Sequence, residues 1–264
     1  MAPASPAAPR TPAVENPLFE YVVRLGDDRL VLGHRVAEWC GHGPILEEDI
    51  ALSNIALDLT GQAAALLALA GSIEGKGRDE DALAYFRDEP QFRNALLCEL
   101  PKGDFGVTIV RQFFFDAYSL LLWDALAACT HEKLAALAAK SRKEDTYHLR
   151  HSAEWVRKLG DGTPESHERA QRAVDALWRF TGELFERDAI DDAVVSHGIV
   201  VDHAALAAKW RELVEGVLRE ATLTVPAEPG PRATGGRRGR HTEHLGHMLA
   251  EMQIVARSHP GATW

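Results

Sequence analysis

Cysteine is scarce and poorly placed for cross-linking. Cys40, Cys98 and Cys129 are the only three, odd in number and far apart, with no CxxC unit. That excludes a disulfide scaffold and suits a reducing compartment, so a cytoplasmic chain is expected. Positive charge is also in deficit. Lys and Arg total 29 against 39 Asp and Glu, for a formal charge of -10 with neutral histidines. No general nucleic-acid surface is expected from such a balance. A basic segment followed by a hydrophobic core is missing from the start of the chain. "MAPASPAAPRTPAVENP" reads instead as a flexible tail over residues 1–15. The very apolar "AAALLALAG" is far shorter than a membrane span and follows Asp58 and Gln62, so no membrane segment is expected. Regular β alternation is nearly absent.

What is present is helical periodicity. Asn16–Pro17 is a helix-start signal before "LFEYVVRLGDDRLVLGHRVAEWCGHG", within which Gly26 either interrupts the helix or packs closely against a neighbour. Residues 41–44 are a break. A second long helix follows, with Glu47, Glu48 and Asp49 in its first turn where carboxylates favour the helix dipole. A connector with short helices near residues 80–86 and 91–96 leads to a third helix capped by Asp104. The fourth ends at residues 160–162. Further helices are expected over 164–185, 201–220 and 242–259. The pattern predicts an all-α fold, four central helices with flanking ones, as one domain over residues 16–264.

The polar residues in these apolar helices invite a metal count. Diiron carboxylate bundles use Glu on two helices and Glu-x-x-His on the other two. Here the first helix offers His34 and Glu38, and the second Asn54, Asp58 and Gln62. The third offers Asp116 and Asp124, and the fourth Glu144, Asp145 and His148. The count then fails. Three residues beyond Asp58 stands Gly61, which has no side chain to ligate, and Asp145 is one methylene shorter than Glu. The expectation is a buried hydrogen-bond or ion-pair network containing Asp58 and His148, with no metal, catalytic or cofactor-binding residue assigned to this chain.

Other motifs carry less. His244, His247 and Glu251 share a side of the last helix, but the HExxH order is absent. Arg237, Arg238 and Arg240 precede that helix and suit either an acidic partner or a phosphate, or an exposed soluble loop. There is no phosphate-binding GxxxxGK[ST] loop and no GxSxG elbow. Ser119 and Ser152 fall in helical patterns, and Cys40 with His42 does not make a nucleophile and base. Phe113, Phe114 and Phe115 face three directions, so part of the run must pack against an accessory helix or another subunit.

Five phrases together carry a resemblance: "LGDDRLVLGHRVAEWCGHGPILEEDIALSNIALDLTGQA", "DEDALAYFRDEPQFRNALLCELPKGDF", "RQFFFDA", "KEDTYHLRHS" and "GRHTEHLGHMLAEMQ". Over about residues 17–264 the chain resembles the PaaC subunit family of bacterial ring 1,2-phenylacetyl-CoA epoxidases. The resemblance implies a ferritin-like subunit that is not catalytic and associates with a related catalytic PaaA-like subunit. It implies phenylacetate catabolism, iron in that partner, and a reductase using FAD, an iron–sulfur cluster and NADPH.

Overall fold

The structure, a computed structural model, describes residues 16–227 and 230–262. The tail expected over 1–15 lies outside them. Every regular element described is helical, and four long helices form a ferritin-like bundle. α1 (Pro17–Ala37) and α2 (Leu46–Glu74) make one hairpin; α5 (Phe105–Ala127) and α6 (Glu132–Gly160) make the other. Between the hairpins run the short α3 (Glu80–Tyr85) and α4 (Leu96–Glu99). α7 (Pro164–Thr181) and α9 (His203–Glu220) flank the second hairpin, α8 (Ala189–Ala193) sits by α1, and α10 (Glu243–Ser258) packs on α3.

Local chemistry explains the helix ends. Asn16 accepts the Phe19 amide at 3.0 Å, with Pro17 in the first turn. Asp104 accepts the Val107 amide at 2.9 Å, and Asp202 the Ala205 amide at 2.9 Å. The break between α1 and α2 is held by Asp49, which accepts the amides of Gly41 and Gly43. Gly26 does not interrupt α1. A Cβ there would come within 2.8 Å of Leu67 on α2, so glycine lets the two helices close on each other.

Two expected elements are displaced. No helix covers residues 91–96; instead a 3-10 turn at Glu89–Gln91 is followed by extended chain before α4. Buried carboxylates claim the amides such a helix would use: Arg93 N–H donates to Asp27, Ala95 to Asp28 and Leu96 to Glu183. The helix expected over 164–185 tightens into a 3-10 turn at Gly182–Phe185. α8, five residues long, is too short to show a period and was not expected.

α2 and α5 are each long and apolar enough by composition to cross a membrane, which the short "AAALLALAG" run alone does not suggest. Packing explains α5, whose most apolar window is 78% buried, better than α2, where the figure is 56%. All three residues of the Phe113–Phe115 run are buried. Phe114 meets Trp178 of α7 and Trp210 of α9 edge-on, with ring centroids at 5.6 and 5.8 Å, so accessory helices receive its side of α5.

Candidate functional site: a polar network in the bundle interior

α1 carries three consecutive ionisable residues, Asp27, Asp28 and Arg29, each fully buried. Successive helical side chains diverge by about 100°, so the three leave α1 in different directions. Arg29 enters the bundle centre. Its Nε donates to Gln62 Oε1 at 3.1 Å, and its terminal nitrogens to Ser119 Oγ at 2.7 Å and the Leu25 carbonyl at 3.0 Å. The guanidinium lies 4.0 Å from the Trp123 ring centroid, a placement that adds cation–π attraction. Burial pulls its pKa down, opposed by the nearby charges of Asp145 and Asp28.

From Gln62 the network passes to α6. The Gln62 amide donates to Asp145 Oδ1 at 2.9 Å and to Glu144 Oε2 at 3.0 Å. His148 Nε2 sits 3.0 Å from Asp58 Oδ2, so the two residues meet, but only His148 is buried. The Asp58 side chain is half-exposed at the edge of the network and not inside it as expected. His148 Nδ1 lies 3.6 Å from Asp145 Oδ1 and has no hydrogen-bond partner. Burial works against protonating His148, but the Asp58 hydrogen bond and the charges of Asp116, Asp145 and Asp58 outweigh it and raise its pKa. Across the bundle, Gln112 and Ser152 donate to Asp116 at 2.6 and 2.7 Å. Burial still pushes the Asp116 carboxyl up to about 7, against the lowering pull of His148 and these donors.

The remaining candidates do not join this centre. His34 turns back to the Leu30 carbonyl, and Glu38 is exposed and pairs with Arg35. Asn54 is exposed, and Asp124 is half-exposed against Arg142. Gly61 is exposed on the outer face of α2, so position 61 is not a vacant ligand place facing the interior. The interior position is Gln62, and it is already engaged by Arg29, Asp145 and Glu144.

These residues do not fit a diiron centre. Such a centre needs carboxylates and imidazoles converging on two cations. Here a guanidinium already supplies positive charge in the centre, one imidazole is present, and Gln62 and Ser119 are neutral partners. Among the described residues no three His, Cys, Asp or Glu side chains form a metal-binding group.

The C-terminal segment departs further from expectation. His247 and Glu251 are exposed and His244 is half-buried, so they do not converge. The buried histidine side chain of this region is that of His241, which no sequence motif singled out. Its side chain is buried between Glu99 Oε2 at 2.7 Å and the Phe92 carbonyl at 3.1 Å. Arg237 is not a loop cation awaiting a ligand, because both terminal nitrogens donate to Asp28 at 2.8 Å. Glu183 accepts the amides of Gly235 and Gly236. Only Arg238 and Arg240 of the arginine cluster are exposed. His42 bonds to the carbonyl of Cys40 and not its thiol, while Ser119 and Ser152 are tied into the interior network. A nucleophile–base pair is formed by none of these.

Arg29 could have been found from sequence: "GDDR" is a run of three charges inside an otherwise apolar helix. Burying such groups costs several kcal/mol each unless they are paired, so their partners had to exist.

Comparison with known proteins agrees with this architecture. Residues 1–264 match the family described as phenylacetic acid catabolic protein. The chain is 51% identical over 249 residues to a 1,2-phenylacetyl-CoA epoxidase subunit of Escherichia coli (strain K12), covering 94% of this chain and 100% of that protein. With a family match along its whole length and a half-identical relative covered from end to end, the chain belongs to the phenylacetic acid catabolic protein family.

Proposed function

We propose that this chain is a noncatalytic structural subunit of a multicomponent monooxygenase. The assembly converts phenylacetyl-CoA to its ring 1,2-epoxide, and this chain supports a related catalytic PaaA-like subunit. The observation that carries the reading is Arg29, whose guanidinium occupies the bundle interior between Gln62 and Ser119. Full-length likeness to an epoxidase subunit supports it. Iron belongs to the companion chain, and electrons reach it from NADPH through a reductase carrying FAD and an iron–sulfur cluster.

The contribution of this chain is then mechanical. Its interior charges lock four helices in one register, since each buried group must find its partner. A rigid bundle of this kind presents a fixed outer surface to the subunit it supports.

The test is reconstitution. The chain is purified alone and with the catalytic subunit, and phenylacetyl-CoA epoxidation is assayed with the reductase supplied. The expected result is no turnover by the isolated chain, a stoichiometric complex, and iron confined to the partner. Robust oxygenation by this chain alone, with two firmly held iron atoms, overturns the proposal.

A further inference from the structure

The geometry points to the outer face of α2, with its α6 flank, as the docking surface for an acid-flanked helix of a different subunit. This rests on the accessory role proposed above. Ile50, Asn54, Leu57, Gly61, Ala64 and Ala68 recur at intervals of 4, 3, 4, 3 and 4, and all six are exposed. That is the 3.5-residue repeat of a helix-packing seam, and it runs for about 27 Å along the axis. It carries no charge. Leu57 is 69% exposed, and Tyr147 of α6 is 71% exposed. A largely apolar helix normally has neighbours on most of its circumference, and among the described residues nothing packs on this face of α2.

Gly61 is the second observation. Mid-helix glycine costs about 1 kcal/mol relative to alanine. Nothing among the described residues requires it, because its φ is not positive and a Cβ would meet none of their atoms within 4 Å. Close approach of another backbone does require it. Ala64 and Ala68 extend the same shallow strip toward the end of the helix.

Charge selects the occupant. Along α6, Lys133, Lys140, Lys143 and Arg150 are all exposed, and none meets a carboxylate at ion-pair distance among the described residues. Four free cations on one helix are notable in a chain of net charge -10. A second copy would present the same cation row together with an uncharged seam, so it is a poor counterpart. A lipid surface favours bulky aromatic and aliphatic residues, whereas half of this seam is glycine and alanine. A helix with an apolar stripe bordered by Asp and Glu satisfies both the seam and the cations.

The experiment compares wild type, Leu57→Asp, Ala64→Arg, a Lys133→Glu/Lys140→Glu/Lys143→Glu variant, and Ile254→Asp. Ile254 is 60% exposed on α10 and serves as a surface control. Association with the catalytic subunit is followed by sedimentation velocity, with helicity of each variant checked by circular dichroism. The expected result is about tenfold or greater weakening for Leu57→Asp and Ala64→Arg, a weaker and less salt-sensitive complex for the triple variant, and no change for Ile254→Asp. A wild-type complex indifferent to all three seam and cation variants overturns the docking surface and leaves the accessory role standing. Absence of any wild-type complex overturns both. Self-association, or binding to anionic phosphatidylglycerol vesicles, that is lost in Leu57→Asp assigns the face to a second copy or to lipid and likewise overturns it.

Discussion

Two of the buried charge systems among the described residues are built differently. In the C-terminal strap, charge meets charge directly: Arg237 donates twice to Asp28, and Glu99 receives His241 and the Thr242 amide. In the bundle centre, Arg29 donates only to neutral oxygens, and Asp116 is held by an amide and a hydroxyl. The centre also leaves buried atoms unpaired, among them Asp145 Oδ2, His148 Nδ1 and Gln112 Oε1. An ion pair strands a buried charge when one partner goes, whereas a group held by neutral partners can be given up at lower cost. The strap fastens distant parts of the chain; the centre fills the bundle.

The sharpest way to break this contrast is Arg237→Ala, which strands the buried Asp28 carboxylate. A loss of about 3–5 kcal/mol in urea unfolding is expected, and a loss below about 1 kcal/mol would make the two systems equivalent. The next effect is on pH dependence. Asp116 and His148 both have folded pKa values above their unfolded ones, so the folded state holds its protons more tightly. The stability they contribute is present in full at low pH. It is lost for Asp116 as pH rises from about 4 to about 7, and for His148 as pH passes from its unfolded value through its raised folded one. For Asp116 the change is on the order of 2–4 kcal/mol. Asp116→Asn should flatten the fall in urea midpoint between pH 5 and 8; an unchanged slope would remove Asp116 from the account.

Arg29→Met sharpens the comparison from the other side. Methionine keeps contact with Trp123 and leaves neutral Gln62 and Ser119 behind, so about 1–3 kcal/mol is expected, less than for Arg237→Ala. The smallest effect belongs to the outer face. Gly61→Ala should stabilise the isolated chain by about 0.5–1 kcal/mol, because the site has room and an ordinary helical backbone. Destabilisation there would mean that the surface position is constrained from within.

Much of the fold was legible because helix signals are local. Asn16 and Asp104 cap the helices they were expected to cap, and α1 and α6 follow a clear apolar period. The candidate site was legible only in part. Of the polar residues the helices offered, His148, Asp145, Asp116 and Gln62 point inward, Asp58 is half-exposed, and Asn54, Asp124 and Glu38 went outward. Spacing identifies residues that share a helical side, but not whether that side meets the interior. The missed members, Arg29 and His241, depend on partners far away in the chain.

Sequence alone determined the helical class and most helix ends, since each depends on residues within a turn or two. Tertiary structure decided where the charges of "GDDR" end: Asp27 at Arg87, Asp28 at Arg237 and Arg29 at Gln62 and Ser119. The physical reason is geometric. A helix sends three successive side chains in three directions, while the partner arriving from each is chosen by packing across as many as 209 positions of sequence.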